Sequence, residues 1–591
     1  MGLFKTIAEG GQIWAHRVRM VRQVVRIAIL SSLAISGVFF SYRMAQVPKV
    51  YYQSAWYYGK AYLLEISDSE VPVSGKFWGK IEKHPYPNKS IEVKPDKLKR
   101  TCLRKLSFLW ESTKSNFRSS ISLFFNVLWT CILFFLVKGL LSRKKKYVTG
   151  QKIATPWQIA VHLKLRRNAS SFKLGSMPFA KDFETRHTLV SGGTGSGKTN
   201  CFHTLLPQIR KMNQRAIVVD TSGEFVSKYF REGKDILLNP FDKRGQPWHP
   251  WCECNDPYDY KSLAQSFIPL SANDEENFWR KAAQEVFCST LQIKSHEKRI
   301  SEVVKLLLYA PLQVVYKTLQ DTKASSFLDM NSERTSASIR AVAASFLESL
   351  DLFDDTNAPF SIRDWVQNRD DNSWLFLSST TGQRASLTPL ISAWFSIAMR
   401  SLLQMQPSPN RRLWFVADEL PSLNRLKDLE TCLAESRKFG GCSILAIQSP
   451  AQLEMIYGKE ITKIIIGNCS TRVAFSEQDP EIAARISKTF GEKEVRELHE
   501  SISYGSHEMR DGVNLSSQSK TSPVVSATAI QLLDVHEAFV KLPGNLPIAK
   551  IKLPYQDIPK ICEPFLKKIE PSSQPLNDAS NVIFGSEESF H

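Results

Sequence analysis

The sequence predicts an α/β fold with a parallel sheet, an all-α domain inserted into it, and an N-terminal anchor of two transmembrane helices. Three observations lead to this fold class. Two long apolar runs lie within the first 146 residues, a glycine-rich loop stands between a strand pattern and a helix pattern, and short apolar runs alternate with helical patterns after it. A chain of 591 residues is also too long for one hydrophobic core, so several domains are expected.

The composition is that of a folded and strongly basic protein. Hydrophobic residues make up 43% of the chain, charged residues make up 23%, and the formal net charge is +19. This charge suits a polyanion or an anionic membrane surface as partner, with a basic soluble protein as the alternative. The closest group of zinc-type ligands, His249, Cys252 and Cys254, lacks a second ligand pair, so reduced cytosolic thiols are expected.

The two apolar runs predict transmembrane helices near residues 21–42 and 121–141, each about twenty residues long and able to cross a bilayer. Because cytoplasmic flanks are rich in Lys and Arg, the N-terminus and the chain after Lys146 are expected in the cytoplasm. Residues 43–118 are then an exported loop, although the length and basic residues of this loop weaken the charge rule. The flanking residues are Arg17, Arg19, Arg22 and Arg26, and Arg143, Lys144, Lys145 and Lys146.

Two other interpretations of these runs remain. The first run could be a cleaved signal peptide, since it has a basic start and a short apolar core. Both runs could also be buried helices of a soluble protein, which the adjoining arginine clusters disfavour. Under either membrane interpretation, residues 1–146 hold the anchor and the chain after them lies in the cytoplasm.

The glycine-rich loop predicts a site for the phosphates of ATP. Lys198 is predicted to reach the β- and γ-phosphates, and the Thr199 hydroxyl is predicted to bind Mg²⁺. A strand over residues 188–190 precedes the loop and a helix over residues 201–212 follows it, so a helix N-terminus points at the anion. The loop matches G-x-x-x-x-G-K-[ST], and the predicted site comprises Gly192, Gly193, Thr194, Gly195, Ser196, Gly197, Lys198, Thr199 and Asn200.

Residues 411–419 (RRLWFVADE) supply the acidic partner that such a loop needs. Their apolar run predicts a strand buried on both faces, as in parallel sheets. Asp418 is predicted to hold Mg²⁺, partly through water, and Glu419 is predicted to polarise the attacking water as general base. An ordinary turn is the alternative for these two acids. Gln448 ends the next predicted strand, where it could sense the γ-phosphate or simply cap the strand.

Further apolar runs are separated by helical patterns, and this alternation predicts a parallel sheet of the RecA-like kind. They cover residues 215–220, 373–378, 442–448 and 471–475. Two later runs flank the turn Pro-Gly-Asn-Leu-Pro and predict a closing hairpin over residues 538–542 and 548–553.

The chain between the glycine-rich loop and the acidic strand is longer than a minimal sheet needs. Residues 256–366 have helical periodicity and predict the inserted all-α domain. The sheet domain then spans residues 147–255 and 367–560, and residues 561–591 predict a disordered tail. The amphipathic segments of the insertion lie near residues 275–292, 301–320 and 332–350.

Several longer strings resemble the coupling proteins of type IV secretion, the VirD4/TraD group, and are most similar to the TraD branch of conjugative transfer ATPases. The two apolar runs, the loop, the helical insertion and the acidic strand follow the same order in that family. The resemblance covers most of the chain to about residue 555. The strings are GGQIWAHRVRM, DTSGEF, FVADELP, ESRKFGGCSILAIQSPAQLEMIYG and YGSHEMRDGVN.

The resemblance implies a homohexamer, anchored in the bacterial inner membrane, that binds DNA and hydrolyses ATP. It would recruit the relaxosome and pump a relaxase-bound single strand into the secretion channel during conjugation. The all-α domain would face the relaxosome, and the exported loop would contact channel proteins. Arg186 and Arg437 match family positions at which an arginine meets nucleotide in the same or a neighbouring subunit; surface ion pairs are the alternative.

One departure from the family concerns cargo selection. TraD proteins typically continue into a long tail that docks a relaxosome accessory protein, whereas this chain ends at His591. The acidic residues 587–591 are expected to be either a docking peptide or a plain disordered end.

Three classes of function remain open. A DNA-coupling ATPase would hold single- or double-stranded DNA through phosphate contacts without strong sequence preference, since no base-reading motif occurs. The same ATPase could instead pass protein effectors. A non-enzymatic membrane receptor or scaffold is the third class, and the intact Lys198, Asp418 and Glu419 argue against it. An ABC-type importer subunit is set aside because no LSGGQ-like signature precedes the acidic strand.

Overall fold

A computed structural model describes residues 2–65, 69–82, 88–142, 146–328, 332–355, 359–368, 372–503 and 512–568. The chain forms two compact units, divided between Lys146 and Tyr147. Three segments singled out in the sequence fall outside the described residues. They are the basic residues 143–145, residues 504–511 of the YGSHEMRDGVN string, and the tail from residue 569.

Two long helices dominate the first unit, and their apolar segments are exposed. In Met20–Ala45 and Pro95–Lys138, only 11% and 6% of the most apolar stretch is buried within the protein. Such exposure is expected of helices that lie in lipid. Both helices continue beyond the predicted spans, and the two-pass topology stays a prediction. The elements of this unit are helices α1 Gly2–Ala45, α2 Lys49–Leu64, α3 Gly75–Ile81 and α4 Pro95–Ser142, and strands β1 Val71–Ser74 and β2 Ser90–Val93.

Residues 43–118, which the sequence predicts only as an exported loop, contain a small folded region. Strands β1 and β2 pair antiparallel, with Val71 opposite Val93. Helix α3 follows β1 directly, and α2 packs along α4. The region was missed because strands of four residues are too short to show a clear alternation. Its own core consists of Ala61, Val71, Val73, Phe77, Trp78, Val93, Leu98 and Cys102.

The strands of the second unit form a ten-stranded central sheet and smaller sheets beside it. They are β3 Lys146–Gly150, β4 Ile153–Ala154, β5 Ala169–Leu174, β6 Met177–Ala180, β7 Thr188–Ser191, β8 Arg215–Asp220, β9 Ile236–Leu238, β10 Leu375–Ser378, β11 Leu413–Ala417, β12 Gly441–Ile447, β13 Thr471–Ala474, β14 Glu492–Ser503, β15 Gly512–Pro523, β16 Glu537–Lys541 and β17 Ile548–Lys552. Strands β14 and β15 form a long hairpin beside β3.

The central sheet has the order β4-β17-β16-β13-β7-β12-β11-β8-β10-β9. Strands β13 to β9 in this order are parallel, as predicted, but β16 runs antiparallel to both β13 and β17. The antiparallel strands β16 and β17 are the closing hairpin predicted from the sequence, and with them the sheet is mixed. The cause is the short turn between β16 and β17, because a parallel connection would need a crossover of a dozen or more residues.

Both faces of the sheet are covered, as strand β11 illustrates. Leu413, Phe415 and Ala417 pack into the core on one face. Trp414 and Val416 pack into the core on the other face. A strand buried on both sides reads as a continuous apolar run, which is why this strand could be predicted from its sequence.

The helices of the second unit cover the two faces. One of them, Arg384–Leu403, is long and apolar enough to cross a membrane, but 72% of its most apolar stretch is buried, so it is a core helix. The helices are α5 Pro156–Leu165, α6 Lys198–Lys211, α7 Glu224–Tyr229, α8 Pro257–Phe267, α9 Asn277–Ile293, α10 Ile300–Val304, α11 Leu312–Leu319, α12 Glu333–Leu347, α13 Ile362–Gln367, α14 Arg384–Leu403, α15 Leu429–Glu435, α16 Pro450–Tyr457, α17 Lys459–Asn468, α18 Pro480–Phe490 and α19 Ala527–Gln531.

Helices α8 to α13 lie between β9 and β10 in the chain, and the described part of residues 256–366 contains no strand. The amphipathic segment predicted over residues 301–320 is not one helix. A π-helical turn, Lys305–Tyr309, and Pro311 interrupt it, because proline cannot continue a helix. Arg340 donates hydrogen bonds to the Leu308 and Ala310 carbonyls at this break, at 2.5 and 2.6 Å.

The segment after β17 is ordered further than the sequence predicts. The Ile561 amide donates to the Ser227 carbonyl at 2.8 Å, and the Lys568 amide donates to the Phe241 carbonyl at 2.9 Å. Residues 561–568 thus lie along the sheet domain, although the sequence predicts a disordered tail from residue 561. Backbone hydrogen bonds hold this segment, and these bonds cannot be predicted from its amino-acid composition.

Candidate nucleotide-binding site

The glycine-rich loop joins the carboxyl end of β7 to the first turn of α6. Gly197 has a φ of +111°, which favours glycine, and a Cβ on it would lie 2.7 Å from His536 Nδ1. Helix α6 begins at Lys198 rather than at the predicted residue 201, so Lys198, Thr199 and Asn200 lie in its first turn. Backbone N–H groups in a first helical turn have no helical acceptor and are free for an anion.

Lys198 lies inside the loop. Its Nζ donates to the Gly192 carbonyl at 2.7 Å and to the Gly193 carbonyl at 2.9 Å, and only 9% of the residue is exposed. Burial lowers the pKa of Lys198, while the carboxylates of Glu419 and Asp418 act in the opposite direction. The ammonium is therefore held at the centre of the loop, with carboxylates near it.

Asp418 follows the last residue of β11 and meets the loop directly. The Thr199 hydroxyl donates to Asp418 Oδ2 at 3.1 Å. Asp418 Oδ1 is buried and has no hydrogen-bond partner in the described part of the chain. Burial raises the pKa of Asp418 to about 6, and the charge of Glu419 adds to this shift. The Thr199 hydroxyl and the Asp418 carboxylate, one oxygen of which is buried and unsatisfied, are ligands that fit Mg²⁺.

Glu419 and Gln448 form the second pair of the site. Gln448 follows β12, and its Nε2 donates to Glu419 Oε2 at 2.9 Å. Burial raises the pKa of Glu419, while the hydrogen bond from Gln448 lowers it. The two side chains come from neighbouring strands and meet because parallel strands end at the same edge of the sheet. Gln448 thus orients the carboxylate that is predicted to activate water.

Two charged residues at this edge were missed by sequence reasoning. Glu477 follows β13 and is 8% exposed, and its carboxylate acts on the pKa of Lys198. Arg384 begins α14 after β10; its Nη2 donates to the Thr221 carbonyl at 3.0 Å, and its charge acts on the pKa of Glu419. The sequence signal for these two residues was their position alone, since each comes soon after a buried strand that ends at the same edge of the sheet.

The structure does not bring Arg186 and Arg437 to this loop. Arg186 ends a 3-10 turn before β7, and Arg437 lies in a 3-10 turn before β12, so both lie at the amino edge of the sheet. The length of β7 alone separates this edge from the loop by roughly 15 Å. The two turns are neighbours instead, joined by a hydrogen bond of 3.4 Å between Ser436 Oγ and His187 Nε2.

The two arginines differ in their surroundings. Arg437 is exposed. Arg186 is half-buried, with its guanidinium 5.0 Å from the Phe183 ring centroid. Arg186 Nε is buried without a hydrogen-bond partner among the described residues. Neither guanidinium takes part in an ion pair within the described chain, which disfavours the ion-pair alternative.

The histidine and cysteines at positions 249–254 do not form a metal site. Cys252 Sγ lies 3.1 Å from His249 Nδ1. In the part of the chain that the structure describes, no group of three or more His, Cys, Asp or Glu side chains could hold a metal ion. Burial raises the pKa of Cys252 to about 12, so this side chain is a thiol at neutral pH.

Residues 171–554 match the family described as the type IV secretion-system coupling protein DNA-binding domain. This chain belongs to that family. The chain is 35% identical over 452 residues to the coupling protein TraD of Escherichia coli (strain K12), covering 74% of this chain and 63% of TraD. It is 22% identical over 371 residues to the conjugal transfer protein TraG of Escherichia coli. It spans 63% and 57% of the lengths of these two relatives.

Solved structures of the coupling protein TrwB share the fold. The structure of unbound TrwBdeltaN70 matches with a TM-score of 0.64 and 26% identity, covering 72% of this chain and 98% of that chain. Complexes of TrwB with ADP and Mg²⁺ and with a non-hydrolysable ATP analogue match equally well. The RecA-like fold class and the resemblance to the coupling-protein family are thereby confirmed.

Proposed function

We propose that this chain is an ATP-driven coupling protein that moves DNA into a type IV secretion channel during conjugation. The observation that carries the proposal is the arrangement of Thr199, Asp418, Glu419 and Gln448 around Lys198 on a loop of coupling-protein type. Its relatives TraD and TraG are named as coupling and conjugal transfer proteins, and TrwB has been solved with adenine nucleotides.

The site contains a binding part and a hydrolytic part. Lys198 and the N–H groups of the loop bind the phosphates, and Thr199 and Asp418 are the residues that would hold Mg²⁺. Bound Mg²⁺ supplies positive charge that neutralises the phosphate oxygens. Glu419 accepts the proton of the attacking water, and its raised pKa makes it a better proton acceptor than an exposed glutamate. Gln448 keeps the Glu419 carboxylate directed at that water.

Arg186 and Arg437 serve the nucleotide of a neighbouring subunit. Both lie at the sheet edge opposite their own loop, so neither can reach the nucleotide of its own chain. In a ring of identical subunits, the amino edge of one sheet can face the carboxyl edge of the next. An arginine supplied in trans stabilises the charge on the transferred phosphoryl group only when the ring is assembled. We propose that the ring is a homohexamer and that its assembly controls hydrolysis.

The first unit anchors the protein in the inner membrane. We propose that α1 and α4 cross the bilayer, which exports the small folded region between them and keeps the ATPase domain in the cytoplasm. The exported region then contacts channel proteins, and the inserted helices contact the relaxase and other relaxosome proteins. The net charge of +19 suits DNA, single- or double-stranded, held by its phosphates without strong sequence preference.

The test is ATP hydrolysis by the full chain in lipid, measured with no DNA, with single-stranded DNA and with double-stranded DNA. We expect DNA to stimulate hydrolysis, with stimulation that falls steeply as salt rises because phosphate contacts release counterions. Lys198→Ala should abolish hydrolysis under all three conditions. Active basal hydrolysis without stimulation at low salt would instead favour a carrier of protein effectors, and transfer of cargo by Lys198→Ala in cells would favour a non-enzymatic receptor.

A further inference from the structure

The strand order determines how a nucleotide lies across the phosphate-binding loop. Asp418, Glu419 and Gln448 follow β11 and β12, which lie on one side of β7 in the sheet. The γ-phosphate belongs on that side, because the residues for metal binding and water activation are there. The α-phosphate, the sugar and the base therefore extend toward the other side of β7, where β13, β16 and β17 lie.

Two segments on that second side are tied to the loop. His536 immediately precedes β16, and its N–H donates to the Ser196 carbonyl at 3.0 Å. Asn200 Nδ2 donates to the Pro554 carbonyl at 3.1 Å, and the Gln556 N–H donates to Asn200 Oδ1 at 2.8 Å. Asn200 is 4% exposed, so these bonds are protected from water. The backbone on both sides of residue 555 is therefore fixed to the first turn of α6.

Tyr555 lies between the two residues that Asn200 holds, yet 69% of it is exposed. Its ring centroid is 5.8 Å from that of His536, with the two rings inclined at 44°. Val535, next to His536, is 58% exposed. An exposed aromatic ring on a fixed backbone contributes little to the core of the protein itself. The ring offers a flat apolar surface at the end of the site to which the α-phosphate points, and a nucleobase can stack on such a surface.

His536 shows a second unusual feature at the same place. Its φ is +67°, a backbone conformation that side chains other than glycine rarely adopt. Its Nδ1 is buried without a hydrogen-bond partner in the part of the chain described, and it lies against Gly197 of the loop. The Leu553 N–H donates to the His536 carbonyl at 2.9 Å, which joins the two segments. Backbone strain and an unsatisfied buried nitrogen together are typical of functional sites.

We propose that Tyr555 stacks on the purine base of the nucleotide held by the loop, and that His536 positions the Tyr555 ring. This inference rests on the proposed ATP binding and adds the residue that contacts the base. Stacking uses the face of the base, so it distinguishes purine nucleotides from inorganic triphosphate without distinguishing adenine strongly from guanine.

The experiment compares Tyr555→Ala and Tyr555→Phe in the full chain, with Mg²⁺ present, by titration with ATP and with inorganic tripolyphosphate. Tyr555→Ala should weaken ATP binding on the order of tenfold, because it removes base stacking, and should leave tripolyphosphate binding unchanged. Tyr555→Phe keeps the ring and should bind both ligands like the unmodified protein. Tyr258→Ala, which changes a tyrosine that is 59% exposed on α8, is the matched control.

Fluorescence supplies a second readout. A triphosphate that carries 2-aminopurine should be quenched by the unmodified chain and by Tyr555→Phe, and much less by Tyr555→Ala, since quenching requires ring overlap. His536→Asn, which tolerates the left-handed backbone but lacks the ring that contacts Tyr555, should raise KM for ATP and weaken the quenching, and tripolyphosphate binding should stay unchanged.

Three outcomes contradict the stacking. Equal losses of ATP and tripolyphosphate in Tyr555→Ala would show that the substitution damages the loop rather than a base contact. Unchanged ATP binding and unchanged quenching in Tyr555→Ala, beside normal hydrolysis, would overturn the stacking alone. Failure of the unmodified chain to bind ATP at all would overturn the proposed function together with this inference.

Discussion

At the carboxyl edge of the central sheet, Asp418 and Glu419 lie near Lys198 within one chain, and Gln448 donates a hydrogen bond to Glu419. At the amino edge, Arg186 and Arg437 lie in adjacent turns, with the phosphate-binding loop of the same chain at the far ends of their strands. The first edge thus groups the residues that are predicted to bind and hydrolyse a nucleotide, whereas the second carries positive charge away from the loop of the same chain. From this difference we propose that one subunit is enough for binding and that hydrolysis needs two.

The largest expected effect tests the second edge. Arg437→Ala should lower kcat of the assembled protein by roughly a thousandfold and leave ATP affinity nearly unchanged, as expected for an arginine supplied in trans. Mixed rings of Arg437→Ala and Lys198→Ala chains should recover part of the activity, because some interfaces then pair an intact loop with an intact arginine. ATPase assays across mixing ratios measure this recovery.

Absence of recovery in rings shown to be mixed would contradict the division between the two edges. Lys438→Ala is the matched control, since Lys438 is an exposed cation next to Arg437 that pairs with Glu435 at 3.3 Å. The same experiment with Arg186→Ala distinguishes whether one arginine or both act on the neighbouring nucleotide.

The next effect tests the first edge. Glu419→Gln removes the proton acceptor and should lower kcat by about a hundredfold or more, while Mg²⁺-dependent ATP binding remains. Mixed rings of Glu419→Gln and Arg437→Ala chains should regain activity, because some interfaces then pair an intact Glu419 with an intact Arg437. Mixed rings of Glu419→Gln and Lys198→Ala chains should not, because both substitutions damage the same edge of the sheet. Gln448→Ala should give a smaller loss with the same pattern, since it acts only through the Glu419 carboxylate.

A pH dependence follows from Asp418, whose pKa burial raises to about 6. Folding makes this carboxyl hold its proton more tightly, so the ionised form that binds Mg²⁺ is lost as the pH falls through about 6. Apparent Mg²⁺ affinity in the presence of ATP should be constant above pH 7 and should fall by roughly tenfold per pH unit below the pKa. Titrations of ATPase activity with Mg²⁺ from pH 5 to 8 measure it. An identical pH profile in Asp418→Asn would show that another group, not Asp418, causes the pH dependence.

The smallest effect concerns the contact that holds the two arginine turns together. Ser436→Ala removes a hydrogen bond to His187 and should lower the free energy of unfolding by about 1 kcal/mol. ATP affinity should not change, because the contact lies at the edge away from the loop. Thr199→Ala should show the reverse pattern, with little loss of stability and a large loss of Mg²⁺ affinity. Denaturant unfolding and Mg²⁺ titration of both variants give the comparison.

Sequence alone predicted the residues that stand in contiguous motifs. An apolar run that is buried on both faces precedes the loop, the pair Asp418 and Glu419, and Gln448. Such runs can be recognised directly in the sequence. The structure places these residues together at distances of 2.7 to 3.1 Å.

The residues that sequence reasoning missed are brought together by the order of the strands in the sheet. Arg384 and Glu477 lie near the ends of two different strands. His536 and Tyr555, which we propose serve the base, lie at the ends of two others. No local sequence pattern shows which strands are neighbours. The hairpin of β16 and β17 was predicted, but its place beside β13 was not, since a hairpin pattern does not say beside which strand it pairs. The folded region between α1 and α4 has strands of four residues, too short for periodicity to show.

The place where the all-α insertion leaves the sheet has an evolutionary consequence. It leaves after β9 and returns at β10, and these strands lie at the end of the sheet furthest from the closing hairpin. The insertion shares one hydrophobic core with this face of the sheet, so substitutions on its exposed surface, rather than in that core, leave the strands before Lys198 and Asp418 undisturbed. The exposed surface of the insertion, which we propose contacts the relaxosome, can therefore change in sequence while the nucleotide site stays the same.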